Sequence, residues 1–256
     1  MPNDVVERRA SFAAALVSEW TKIRTLPSAV WSLAALAACV LGIAVFVGTT
    51  ESLQPDDTVL GGSLTGAGLA QLVGAALGVL AMSREYATGT IRATLAACPR
   101  RHTVLAAKAV VTAASMFVVA LVACFLAYQV GSVLLSGDGY APGRSMPALL
   151  GVAACFSVTG VLGLAVGTVL RHSTAAITTM IAVLLLPSLL GPLLGDWQRW
   201  VAGASPLAVL QKLSQSSDAA PDVAGSLAGW PSLWLVCGYA VIALLGAGAL
   251  LRSRDA

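Results

Sequence analysis

The side chains able to do covalent or acid–base chemistry are few, and none stands at a productive spacing. His102 and His172 follow Arg101 and Arg171 at the edges of apolar runs, and both read as interfacial residues rather than ligands or bases. There is no HExxH pattern to hold zinc beside a general base, and no GxSG nucleophile motif. Cys39, Cys98, Cys124, Cys155 and Cys237 form no CxxC pair or other metal spacing. Four of them lie in apolar runs, where a thiol serves as a small packing residue. No G-x-x-x-x-G-K-[ST] phosphate loop occurs, so any ATP that drives this chain must bind on another polypeptide. Neither an enzymatic role nor a directly bound cofactor or metal is expected, and nothing points to nucleic acid.

The elements that would carry these residues are defined by where charge is missing. Residues 25–50, 58–83, 109–137, 145–170, 172–195 and 223–251 contain no Asp, Glu, Lys or Arg. Each is long enough to cross a bilayer, which takes about 20 apolar residues. A charge at the centre of a membrane helix costs roughly 2.5–3.5 kcal/mol, so a lipid solvent demands this segregation. The hydrophobic fraction of 57% and the mean hydropathy of +0.85 exclude a water-soluble globule. Barrel strands would alternate polar and apolar residues, whereas runs such as 33–47 and 110–122 are continuous, so the spans read as helices. The first apolar run exceeds a signal-peptide core and reads as an uncleaved anchor. The expected fold is all-α: a polytopic membrane protein with six spans.

The basic residues orient it. With the N-terminus inside, Arg8, Arg9, Lys22, Arg24, Arg84, Arg92, Arg100, Arg101, Lys108, Arg171, Arg252 and Arg254 face the cytoplasm. Only Arg144, Arg199 and Lys212 lie outside. The positive-inside rule therefore places both termini in the cytoplasm. Trp197, Trp200, Trp230 and Trp234 flank the long fifth loop at the outer headgroup level, and Trp31 marks the inner interface. The organisation expected is a cytoplasmic amphipathic segment over 1–27, a membrane domain over 28–252 and a short tail over 253–256. A cytoplasmic loop over 83–108 and a long outer loop over 196–229 interrupt the membrane domain.

In the first segment Phe12, Ala13, Leu16, Val17, Trp20 and Ile23 recur at helical spacing, while Ser11, Ser18, Glu19 and Lys22 fill the other face. A basic amphipathic helix lying in the inner interface is expected there, with the chain turning into the membrane at Pro27. Pro187 and Pro192 should kink or break the fifth span near its outer end. Residues 206–213 could form a short helix that dips back toward the membrane. The glycine pairs Gly74/Gly78, Gly163/Gly167 and Gly191/Gly195 support tight helix packing, either within the bundle or at a dimer seam. In the second loop Gly89 can end one helix in a left-handed cap and Thr90 can begin another. Ile91 and Leu95 would then share a face, and Pro99 would stop the helix. The loop thus forms a short exposed helix with a basic rim.

Two strings resemble a known family, the type-2 ATP-binding-cassette permeases, especially those of high-GC actinobacteria. The stretch from Ser18 through Glu19, Trp20, Thr21, Lys22, Ile23 and Arg24 to Thr25 is similar to the segment leading into the family's first span. The string Glu85-Tyr-Ala-Thr-Gly-Thr-Ile-Arg92, followed by Pro99, Arg101 and Lys108, is similar to the loop between its second and third spans. The resemblance implies a permease in a bacterial cytoplasmic membrane, most relatives being exporters, that dimerises with itself or a second permease. Two cassette ATPases would dock from below and supply the ATP. It further implies ATPase coupling through Glu85, Gly89, Thr90, Ile91, Arg92 and Leu95, and a connecting interfacial helix carrying Phe12, Leu16, Trp20, Lys22 and Ile23. On the residues alone, a non-transporting scaffold or sensor stays open. A secondary carrier is disfavoured by spans without ionisable residues away from their ends.

Overall fold

The computed structural model describes residues 2–50, 52–53, 57–97, 100–135, 140–193, 195–197, 201–216, 219 and 224–253, with backbone alone at 2–11, 95–97, 192 and 196. Six helices are long and apolar enough to cross a membrane. They are α2 (Pro27–Thr50), α4 (Ala67–Ala87), α6 (Arg101–Leu134), α7 (Ser145–Leu170), α8 (Ser173–Leu190) and α10 (Gly229–Ser253). Among the described residues, shorter or more polar helices join them: α1 (Pro2–Thr25), α3 (Val59–Ser63), α5 (Thr90–Ala97) and α9 (Pro206–Ser214). No strand occurs among the described residues. The chain is an all-α polytopic membrane protein.

Successive spans run in opposite directions, so the bundle has two distinct ends. α1, α5 and the last turn of α10 share one, the α5 end; α3 and α9 share the other, the α9 end. The centre is the pair α4 and α7, with α2 and α6 on one side and α8 and α10 on the other. α7 is apolar along its length and 67% of its most hydropathic window is buried, against 17–22% for α2, α8 and α10, which face outward. Phe156, Leu149, Leu164, Met116 and Leu36 are among the fully buried side chains of this core.

Glycine sets how closely the central pair approaches. A Cβ on Gly78 would run into the Gly160 carbonyl, one on Gly163 would lie 2.6 Å from the Ala75 carbonyl oxygen, and one on Gly167 would lie 2.7 Å from that of Val79. Lipid supplies no hydrophobic force between helices, so this backbone-to-backbone fit is what holds α4 to α7. Of the two roles open to the glycine pairs, Gly78, Gly163 and Gly167 take the one inside the bundle. Gly191 and Gly195 fall in the 3-10 turns Gly191–Leu193 and Gly195–Trp197 that follow α8.

Several boundaries differ from those read in the charge pattern. The uncharged run 58–83 is split: α3 ends at Ser63 and α4 starts at Ala67. At the break Gly66 packs so close to α2 that a Cβ there would sit 2.6 Å from the Cys39 carbonyl oxygen. The loop expected over 83–108 is mostly helix, since α4 continues to Ala87, α5 follows after two residues and α6 starts at Arg101. α8 contains Pro187 and gives way to a 3-10 turn at Gly191, the break expected of that span. α9 occupies the place expected for the short outer helix. Ser205 caps it by accepting from the Ala208 amide at 3.1 Å, and Gln71 Nε2 of α4 donates to the Pro206 carbonyl at 3.1 Å. Pro99 and Trp200 lie outside the described residues, as do the side chains of Leu95 and Pro192.

Candidate functional site

At the α5 end, three helices bring four charges into one closed ring. Lys108 of α6 donates to Glu19 Oε2 of α1 at 2.6 Å and to Glu85 Oε1 of α4 at 2.9 Å. Lys22 of α1 donates to Glu19 Oε1 at 2.6 Å and to Glu85 Oε1 at 2.7 Å. Charges alternate around the ring and sum to zero. The Lys108 side chain is 3% exposed and lies about two turns inside α6. Two carboxylates compensate the cost of burying this ammonium. Burial alone would push the Lys22 ammonium down; its hydrogen bonds to Glu19 and Glu85, and their charges, outweigh that and hold it above the ordinary lysine range.

The ring changes the reading of α1. Its inward face is Ala15, Leu16, Glu19, Lys22 and Ile23, and Glu19 is buried at 6% exposure. Phe12 and Trp20 of the expected apolar face are exposed at 37% and 46%. Glu19 and Lys22 were expected on the solvated face, and this is corrected: they point into the bundle because Lys108 and Glu85 offer opposite charges there. One signal in the sequence favoured this, since Glu19 falls on the stripe through Phe12, Leu16 and Ile23. Lys108 was read only as part of the resembling loop, because its apolar neighbours belong equally to a loop edge and a span.

α5 follows directly. Gly89 has φ +70, the left-handed conformation expected of it, and turns the chain between α4 and α5. Thr90 is the first helical residue rather than a cap. Its hydroxyl lies 2.9 Å from that of Thr88, and the Arg92 amide donates to the Gly89 carbonyl at 3.2 Å. Ile91 is buried in one apolar cluster with Met82, Leu105, Leu164 and Leu251, and α5 packs on α4 and α6. Gly89, Thr90 and Arg92 are exposed. Thus Glu85 and Ile91 hold the helix from inside, while Thr90 and Arg92 form the surface it presents.

Two further contacts spread the attachment. The Arg171 guanidinium, after α7, stacks on the Tyr86 ring at 5.1 Å, and Arg101 Nη1 donates to the Leu251 carbonyl of α10 at 2.6 Å. Arg84 donates to the Ser28 hydroxyl of α2. Glu19, Lys108, Tyr86, Arg101 and Arg171 were not singled out from sequence as site residues. His172 accepts from the Ala175 amide at 3.4 Å and caps α8, and His102 is exposed. No group of His, Cys, Asp or Glu among the described residues is arranged to hold a metal ion. The arrangement is an exposed helix packed on α4 and α6 beside a buried ion ring that links α1, α4 and α6.

The family model described as "ABC-2 family transporter protein" matches residues 35–247, most of the chain. The match begins inside α2 and ends inside α10, so α1 with Glu19 and Lys22 lies beyond it. No curated protein matches the chain.

Proposed function

The chain belongs to the ABC-2 family of transporter proteins, and from that membership we propose that it is the membrane-spanning subunit of an exporter, with ATP bound and hydrolysed on separate cassette subunits. Two such subunits dock at the α5 end of a permease dimer, in the cytoplasm of a bacterial cell, with both termini on that side. The charges favour this orientation: Arg24, Arg84, Arg92, Arg100, Arg101, Arg171 and Arg252 are at the α5 end, and Arg144 and Lys212 are at the other.

The observation that carries the reading is α5 itself. It is a short helix exposed through Thr90 and Arg92, yet packed on α4 and α6 with Ile91 buried in an apolar cluster that also takes in Leu164 of α7 and Leu251 of α10. A partner that moves α5 moves Glu85, and through Lys108 and Glu19 it moves α6 and α1. Tyr86 and Arg101 pass the displacement to α7 and α10. ATP drives the change by favouring the partner geometry that fits one permease state over the other, since only differential interaction can shift such an equilibrium.

A photo-cross-linking residue placed at Arg92 tests this in native membranes. We expect an adduct to a cassette ATPase from Arg92, and none from Val110, an exposed position on α6 facing lipid. Equal labelling at both positions, or no ATPase adduct at Arg92 in well-expressed protein, would refute the docking role.

A further inference from the structure

At the α9 end, α9, the start of α10 and residues 203–204 and 224–227 enclose a cavity of about 290 Å³, many times the space one water needs. Lys212, in the last turn of α9, lines it together with Ser226 and Ser232. The Lys212 ammonium donates to Ser232 Oγ at 3.2 Å, and the Ser232 hydroxyl donates in turn toward the Leu227 carbonyl at 3.5 Å. No carboxylate among the described residues pairs with Lys212. Two of its three donors are therefore without a protein acceptor there. Partial burial holds this ammonium below the ordinary lysine range.

The other wall is apolar. Leu227 and Leu235 line the cavity and are 47% and 44% exposed, so the space opens sideways along α10. Trp230 and Trp234 are exposed on the same stretch of α10, and Trp197 is exposed nearby in sequence to α8. Indoles at a span's end mark the headgroup level of the bilayer. The cavity thus combines a cation with no counter-ion among the described residues, two hydroxyls and an apolar exit at the depth where lipid headgroups lie.

We propose that this cavity binds the oxyanion head of an amphiphile, with Lys212 pairing with the oxyanion, Ser226 and Ser232 beside it, and the chain leaving past Leu227 and Leu235. The same chemistry belongs to a resident anionic phospholipid and to an anionic amphiphilic cargo. The proposal goes beyond ATPase docking and stands whether or not α5 binds a partner.

Native mass spectrometry of the full-length protein in neutral detergent, titrated with dodecyl phosphate, tests it. Wild-type protein should bind dodecyl phosphate at least about tenfold more tightly than inorganic phosphate or dodecanol. Lys212→Gln should lose about tenfold and Lys212→Arg should keep most of the affinity. Leu227→Asp, at a half-exposed position, should also lose binding by placing a like charge at the mouth, and it checks the result if Lys212→Gln folds poorly. Displacement by phosphatidylglycerol but not phosphatidylcholine assigns the site to a resident lipid, and resistance to both assigns it to a smaller cargo. Unaltered dodecyl phosphate binding in folded Lys212→Gln and Leu227→Asp would overturn the proposal.

Discussion

Lys108 is 3% exposed, and Glu19 and Glu85 both reach its ammonium. Removing one member of a buried ion cluster leaves its partners uncompensated, at about 3–5 kcal/mol. Lys108→Met should therefore lower the stability of the purified protein by that order, read as a drop in its melting temperature in detergent. Adding Glu19→Gln should recover part of the loss, because the remaining Glu85–Lys22 pair is again neutral. A double variant no more stable than the single one would show that the ring is not one electrostatic unit. Glu85 stood out in the sequence through the string around it. Lys108 and Glu19 belonged to the resembling strings too but were given no role, since their contact spans 89 residues and only the folded bundle brings the two charges together.

Among the elements, the α4–α7 contact is set by glycine rather than by large apolar side chains. Gly78→Leu should abolish folded, monodisperse protein, because its side chain has no room against the Gly160 backbone. Gly238→Leu on α10, where a Cβ meets nothing within 4 Å, should be tolerated. Size-exclusion profiles of the two variants distinguish this from a general intolerance of bulk in glycine-rich spans. The six spans were legible because charge avoidance in lipid leaves so clear a pattern. The break at Leu64 to Gly66 was not, since an uncharged turn and an uncharged helix look alike in that pattern. The start of α6 was hidden for the opposite reason: Arg101 and Lys108 carry charges that look like loop, and both are matched inside the helix bundle, by the Leu251 carbonyl and by two carboxylates.

At the scale of the whole molecule, the two ends have different chemistry. The α5 end gathers the arginines, the ion ring and the exposed helix; the α9 end holds a single lysine in a cavity at headgroup depth. On the proposed coupling, motion entering at α5 would reach the far end through α4 and α7, whose backbones approach closely at Gly78, Gly163 and Gly167. Family membership establishes the transporter role, and the proposed docking of a cassette ATPase would use α5 as its point of attachment. The sequence motif pointed to α5 as a docking surface, but only the fold separates the residues that hold it, Glu85 and Ile91, from those that face outward, Thr90 and Arg92.

Purification of the tagged protein from its native membrane in mild detergent, with quantitative mass spectrometry of what accompanies it, tests the central claim most directly. We predict a cassette ATPase at a ratio near one to one, lost on Arg92→Glu with Thr90→Arg while the permease stays monodisperse. A stable, folded preparation that carries no ATPase, under conditions that preserve another transporter complex from the same membranes, would contradict the claim.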